Sequence, residues 1–157
     1  MKIWIIHDSD FGNGKKLAET IGKALEKKGK VNISHRKDTT PEKVAEDSPD
    51  AVVFGTAVRK FVVSPGSKKW IRGLKTALKN SNKTVKYGIC FMTHIMPLKM
   101  VKNRGTRFID LVKKDNLIEN VFPEWISGRV VDMKGPFEDG VLEAAEQKSK
   151  EFLNSMK

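Results

Sequence analysis

The stretch KIWIIHDSDFGNGKKLAETIGKAL, residues 2–25, contains the pattern that decides the fold. Residues 3–6 are continuously apolar, as in a strand buried on both faces of a parallel sheet. After a loop with two glycines, apolar residues recur at helical spacing from Leu17 to Leu25, and Gly29 is placed to stop the helix. A buried strand, a short loop and an amphipathic helix predict the first βα unit of an α/β sheet.

The same alternation continues along the chain. Further strands are predicted at 30–36, 50–56 and 84–92, and helices at 39–47, 64–80 and 99–116, with Gly105 as a candidate break in the last of these. The segments IENVF (118–122) and GRVVDM (128–133) are interpreted as two pieces of a final strand. A closing amphipathic helix is predicted within 135–157. Thr40 is the expected N-cap of the second helix, ahead of Pro41.

This element order predicts one domain over residues 1–157, with a parallel sheet of about five strands and helices on both faces. In such sheets, ligands bind beyond the carboxyl ends of the strands, near the point where the strand order reverses. The loops expected to form a site are therefore 8–14, 55–66 and 92–98.

The net charge of +11 is concentrated in one region. Residues 51–109 contain thirteen Lys or Arg and no acid, whereas acids and bases nearly cancel elsewhere. Helical spacing of Lys68, Arg72, Lys75 and Lys79 predicts a basic outer stripe on the third helix. Such a surface suits either solubility or docking of an acidic partner. Nucleic acid is a poorer match, because Trp70 and Phe108 are expected to face inward rather than between the cations.

Composition excludes several classes of site. Cys90 is the only cysteine, so neither an intrachain disulfide nor a cysteine-built metal site is expected. No apolar run approaches the roughly 20 residues of a membrane span, and the N-terminal stretch lacks the features of a signal peptide. We expect a cytoplasmic protein without a metal site.

The loop DSDFGNGKK (8–16) can be tested against known phosphate-binding patterns. A P-loop requires glycine where Ser9 stands and a hydroxyl where Lys16 stands. The dinucleotide fingerprint fails because Leu17 replaces its third glycine. A receiver domain would need an acid at the end of the third strand, where the chain has VFGTAV. None of these three classes fits.

The chain resembles the flavodoxin family. In that family a loop of the form Ser/Thr-x-Thr-Gly-Asn-Thr follows the first strand, and the chain matches it at Ser9, Gly12 and Asn13. Phe11 and Gly14 stand where the family has threonines. DAVVFGTAV (50–58) and YGICFMTH (87–94) resemble the strands that lead into the family's second and third flavin loops. The similarity extends over nearly the whole chain, in the correct order.

The resemblance implies a flavodoxin-like three-layer sandwich with strand order 2-1-3-4-5 and bound flavin mononucleotide (FMN). Backbone N–H groups at the start of the first helix would hold the phosphate, although two missing hydroxyls would weaken binding. No side chain is assigned a catalytic role. The predicted phosphate residues are Ser9, Asp10, Phe11, Gly12, Asn13 and Gly14. The residues predicted to frame the flavin ring are Thr56, Ala57, Val58, Arg59, Phe61, Met92, Thr93 and His94.

The implied function is an electron carrier with a basic docking face for an acidic redox protein. Two alternatives stay open. PEWISGRVVDMKGPF (123–137) resembles the closing segment of flavodoxin-fold protoporphyrinogen oxidases, which would make the chain a flavin-dependent oxidoreductase. The other alternative is a flavodoxin-fold binding module that has lost its flavin.

Overall fold

The computed structural model describes residues 1–157, and the chain alternates between strands and helices. The strands are β1 (Lys2–His7), β2 (Lys30–His35), β3 (Ala51–Arg59), β4 (Val62–Val63), β5 (Val85–His94), β6 (Ile118–Val121) and β7 (Ile126–Arg129). The helices are α1 (Asn13–Leu25), α2 (Pro41–Asp47), α3 (Pro65–Asn80), α4 (Leu98–Lys113) and α5 (Val141–Ser155). Short 3₁₀ turns follow α1 and α4. No helix has both the length and the apolar character that crossing a membrane would require.

The main sheet is parallel, with the order β2-β1-β3-β5 and then β6 and β7. The last position is shared, because β6 pairs with the first half of β5 and β7 with its second half. The short strand β4 pairs only with β3 and lies outside this order, so β5 is the fourth strand of the main sheet and β6 with β7 the fifth. The predicted order 2-1-3-4-5 and the interrupted final strand are therefore confirmed. The second piece begins at Ile126 rather than Gly128, and Val130 instead bridges Phe137 in an antiparallel contact.

Helices cover the sheet on both faces. One core packs α2, α3 and α4 against the sheet and includes Trp70, Leu74 and Phe108. The other packs α1 and α5 and includes Leu17 and Phe152. The inward positions predicted for α1 and α3 are confirmed by their burial, as is the Thr40 cap, whose hydroxyl accepts a 3.2 Å hydrogen bond from the Lys43 N–H.

The predicted break in α4 is wrong. The helix runs unbroken through Gly105, which is buried under the indole of Trp125. A Cβ atom at Gly105 would lie 2.0 Å from Trp125 Nε1. The glycine therefore allows an aromatic ring to approach the helix, rather than ending it.

The predicted basic stripe on α3 is wrong at Lys75. That side chain is buried, and its ammonium group donates to the carbonyls of Leu111 and Lys114 at the end of α4. Burial lowers the pKa of Lys75. Lys75 thus satisfies helix-end carbonyls in place of facing solvent, while Arg72 and Lys79 are exposed.

A hairpin that sequence patterns did not predict extends β3. β4 pairs antiparallel with the end of β3, and the two strands are joined by Lys60 and Phe61 alone. Both joining residues have positive φ, at 47° and 65°, which is the pattern of a type I′ turn. Asn-Gly is the usual sequence there, so Lys-Phe carried no turn signal.

Candidate functional site

A cavity of about 420 Å³ lies at the carboxyl ends of β1, β3 and β5. The three loops expected to form a site meet there, and a fourth segment after β7 closes one side. The lining residues are Asp8, Ser9, Asp10, Phe11, Asn13, Gly14, Ala57, Val58, Arg59, Lys60, Thr93, His94, Ile95, Val130 and Met133.

The first loop presents free backbone donors at the start of α1. Gly12 caps the helix with φ 89° and ψ −10°, a left-handed conformation that favours glycine. The Ser9 hydroxyl accepts a 3.2 Å hydrogen bond from the Gly14 N–H. The N–H groups of residues 10–13 and of Lys15 donate no hydrogen bond within the protein. This arrangement is ready to bind an anion, and the helix dipole favours one.

Asp8 is buried beneath the first loop, where its carboxylate joins residues from three different segments of the chain. Its carboxylate is 1% exposed and accepts hydrogen bonds from Arg36 Nε at 2.8 Å and Ser67 Oγ at 3.1 Å, with Arg59 Nη1 at 3.3 Å. Arg59 also donates to the Asp8 carbonyl at 2.9 Å and pairs with Asp10 at 3.0 Å. The two acids at the mouth of the first loop are therefore both neutralised by arginine.

The charge state of Asp8 follows from these contacts. Burial alone would raise its pKa, but a serine hydroxyl bonded to the carboxylate and the positive charges of Arg59 and Arg36 outweigh burial and hold the pKa below the usual value. Asp8, Asp10 and His35 lie close enough to suggest a cation site. Two guanidinium groups already satisfy Asp8 and would repel a metal ion, so this cluster is an ion-pair network instead.

His94 lines the cavity at the end of β5, and both nitrogens of its ring are hydrogen-bonded to the protein. Its Nδ1 is 2.7 Å from the Met96 carbonyl, and its Nε2 is 2.7 Å from the Ser127 hydroxyl. The ring also makes an edge contact with Trp125. Burial lowers the pKa of His94. With both nitrogens bonded to the protein, this imidazole orders the loop and has no free nitrogen to exchange a proton with a ligand.

The segment after β7 supplies a wall that sequence reasoning missed. Asn13 Nδ2 donates a 2.8 Å hydrogen bond to the Met133 carbonyl, which ties this segment to the start of α1. Gly135 has φ 90°, and a Cβ atom added there would lie 3.0 Å from Asn13 Oδ1. Met133 and Val130 line the cavity as a result. Residues 128–133 were predicted as part of the final strand, but no pattern predicted their contact with the start of α1, because Asn13 and Met133 are 120 residues apart.

The structure gathers most of the predicted site residues but not all of them. Met92 is fully buried in the core, and the Thr56 hydroxyl is buried and bonded to Ser67, so neither side chain lines the cavity. Gly12 lies in the loop without lining the cavity. Phe61 is turned away and lines a separate groove beside α4. Asp8, Lys60 and Ile95 also line the cavity and lie within the three loops predicted to form the site, whereas Val130 and Met133 line it from outside those loops.

No protein-family model matches the chain, and no curated protein matches its sequence. Solved structures do match. Flavodoxin 2 from Bacillus cereus aligns with 99% of this chain and 100% of its own, at a TM-score of 0.75 and 14% identity. A flavodoxin, WrbA-like protein from Agrobacterium tumefaciens aligns with 98% of this chain and 95% of its own, at a TM-score of 0.73 and 15% identity.

The rubredoxin oxygen:oxidoreductase of Desulfovibrio gigas matches 98% of this chain with 35% of its own length, at a TM-score of 0.68 and 13% identity. The chain thus spans about a third of that protein and nearly the whole of the two flavodoxin-like ones. At such low sequence identities, the similarity establishes the fold and nothing more. It agrees with the strand order observed in the sheet. This chain has the flavodoxin-like fold.

Proposed function

We propose that the chain binds FMN in the cavity at the carboxyl ends of β1, β3 and β5 and serves as an electron carrier. One observation carries the proposal: the cavity joins free backbone donors at a helix N-terminus to a mouth of exposed apolar side chains. Phosphate and flavin ring need those two surfaces, in that arrangement.

The phosphate end is provided by the first loop. The unbonded N–H groups of residues 10–13 and of Lys15 supply donors without any cationic side chain. The hydroxyl of Ser9 accepts from Gly14 and keeps its own proton free to donate. Phe11 and Gly14 remove two hydroxyls relative to the family pattern, which costs about 1–3 kcal/mol of binding.

Repulsion by the two acids of the loop is offset by the ion-pair network. Asp8 points away from solvent toward Arg36 and Arg59, and Asp10 pairs with Arg59. A phosphate at the start of α1 would therefore face a nearly neutral surround and the positive end of the helix dipole.

The part of the cavity that would hold the flavin ring is lined by solvent-exposed apolar side chains. Phe11, Ile95 and Met133 all line the cavity and are 49%, 44% and 54% exposed. Exposed apolar residues clustered at a cavity mouth indicate a ligand or partner that covers them. Since Phe61 faces elsewhere, the ring would pack on aliphatic and thioether groups and on Phe11, rather than between two aromatics.

Electron carriage fits the site better than catalysis on an organic substrate. Bound flavin would supply the redox chemistry, and the chain would supply binding, orientation and electrostatics. His94, the one histidine in the cavity, has both nitrogens bonded to the protein. This histidine is thus not placed to move a proton to a substrate. The acid-free segment 51–109 fits a partner of negative charge.

A flavin-free binding module is the second candidate, favoured by Phe11 in the phosphate loop and by the use of the Asn13 amide to hold Met133. FMN titration of matched glycine variants separates the two. Gly12 and Gly140 are both helix N-caps with left-handed backbones, φ 89° and 82°, and neither has a protein atom within 4 Å of its would-be Cβ.

Gly12→Ala and Gly140→Ala should each cost about 1–2 kcal/mol of stability from the same backbone strain. Only Gly12→Ala places a methyl group at the phosphate loop, so it alone should weaken FMN binding, by at least about tenfold. Fluorescence quenching of FMN during titration measures the affinity. Equal FMN affinities in the two variants would move the phosphate away from this loop, and no binding by the unmodified chain would favour the flavin-free module.

A further inference from the structure

A second concave surface lies on the outer side of the β3–β4 hairpin. This basic groove, of about 520 Å³, is bounded by the hairpin, by α3 and by the middle of α4. Its cations are Lys68 and Arg72 from α3 and Arg104 and Arg107 from α4, and none of its lining residues is acidic.

The four cations of the basic groove lack carboxylate partners. None of them takes part in an ion pair, whereas Arg36, Arg59 and Lys148 elsewhere on the molecule do. Arg104 donates to the backbone carbonyls of Phe61 and Met100 instead. Four like charges converging without a counter-ion raise the local potential, which favours an incoming negative group.

The apolar edge of the basic groove carries a local strain. Phe61 is 56% exposed at φ 65°, in the left-handed region that disfavours bulky side chains. Val62 beside it is 51% exposed. Asparagine or glycine would suit this turn position better and would expose no apolar surface. A bulky aromatic residue kept at a strained, exposed position is explained if it contacts something outside the chain.

The hairpin connects the basic groove to the candidate cavity. Ala57 to Lys60 line the cavity, and Phe61 to Val63 line the groove. A molecule seated in the groove therefore touches the same two-residue turn that borders the cavity mouth.

We infer that the basic groove docks an acidic segment of a partner protein, whose carboxylates pair with Arg72, Arg104 and Arg107 and whose apolar side chain packs on Phe61 and Val62. This deepens the proposed function by locating the partner next to the flavin cavity, and it rests on that function only for the partner being a redox protein. The aliphatic edge beside Phe61 favours a protein segment over a nucleic-acid strand, which would call for stacked aromatics along the groove.

The probe is a short glutamate-rich peptide with a central phenylalanine, added to the ¹⁵N-labelled full chain without FMN. Amide shifts should concentrate on the hairpin and on the residues of α3 and α4 that line the groove. Shifts spread evenly over all lysine-bearing helices, or no shifts up to millimolar peptide, would overturn the inference. Tighter binding of a single-stranded oligouridine than of the peptide would overturn it as well, in favour of nucleic acid.

Two matched double variants distinguish peptide binding in the basic groove from general electrostatic attraction to the positively charged protein. Arg72→Gln with Arg107→Gln should weaken peptide binding about tenfold at low salt. Lys23→Gln with Lys27→Gln removes the same charge from α1 and the 3₁₀ turn after it, on the opposite face of the sheet, and should change peptide binding less than twofold. Equal losses in the two double variants would reduce the groove to one part of a diffuse basic surface.

Phe61→Asn tests the apolar contact with a residue that suits the turn, although it also removes the ring that lies 6.0 Å from the Arg104 guanidinium. Because asparagine tolerates positive φ, the variant should unfold at the same or a higher urea concentration, yet bind the peptide about five- to tenfold more weakly. Unchanged peptide binding would remove Phe61 from the interface. FMN affinity should stay the same in this variant and in the groove variants, so failure of docking is distinguishable from failure of the flavin site.

Discussion

His7, at the end of β1, should make the fold sensitive to mild acid. Its ring is buried, Nδ1 has no hydrogen-bond partner, and the ring makes an edge contact with His35. Burial, with smaller contributions from His35 and Lys15, lowers the pKa of His7 from 6.5 to about 4, against the opposing charges of Asp8 and Asp38. The unfolded chain therefore takes up this proton near pH 6.5, whereas the folded chain resists it until about pH 4.

The sign and size of the effect follow from this difference. Stability is complete above about pH 6.5 and falls as pH drops toward 4, because only the unfolded state binds the proton in that window. At about 1.36 kcal/mol per pKa unit, the loss reaches about 3 kcal/mol. With a urea dependence of about 2 kcal/mol per molar, the unfolding midpoint should fall by about 1.5 M between pH 7 and pH 4.

His7→Phe keeps a ring of similar size and removes the titrating group. Urea unfolding at several pH values should show a much flatter midpoint in this variant, with a residual slope from His94, whose pKa burial also lowers. NMR titration of the His7 imidazole checks the pKa itself. A His7→Phe variant that loses as much stability between pH 7 and 4 as the unmodified chain would refute this assignment.

Three further outcomes are expected. Asp8→Asn should lower the free energy of unfolding by about 1–3 kcal/mol in urea titrations, because Arg36 and Arg59 lose a buried counter-ion but can turn partly to solvent; no loss would make the network dispensable. Gly105→Ala, which usually stabilises a helix interior, should instead destabilise by about 1–3 kcal/mol and shift Trp125 fluorescence, since the added Cβ overlaps the indole; a gain in stability would contradict this packing. Cys90 is fully buried with a raised pKa, so a maleimide should label it only after unfolding, and rapid labelling of the native chain would be contrary to its placement.

The order of strands and helices was predictable from the sequence because it depends on local periodicity. The apolar run at 3–6, the helical spacing after Gly14 and the cap at Thr40 each fix an element without distant contacts. The parallel sheet followed from βα alternation, whereas the strand order was implied by the resemblance to the flavodoxin family; both were confirmed, including the shared edge of β6 and β7.

Two of the missed features depend on partners far away in the chain, and a third depends on an unusual turn. Lys75 has the spacing of an exposed stripe, but the last turn of α4 brings carbonyls to its ammonium group. Asp8 gains its arginines from 28 and 51 residues away, so its burial has no local signature. The Lys60-Phe61 turn lacks the usual residues, and this hid both the hairpin and the turning of Phe61 away from the cavity.

The most direct test compares FMN with riboflavin in calorimetric titrations of the same protein. The two ligands share the ring and differ in the phosphate, which is the group that the free N–H donors of the first loop should hold. We expect one FMN per chain, bound at least about tenfold more tightly than riboflavin. Equal affinities for the two ligands, or no heat of binding with either, would contradict a flavin site built on this loop.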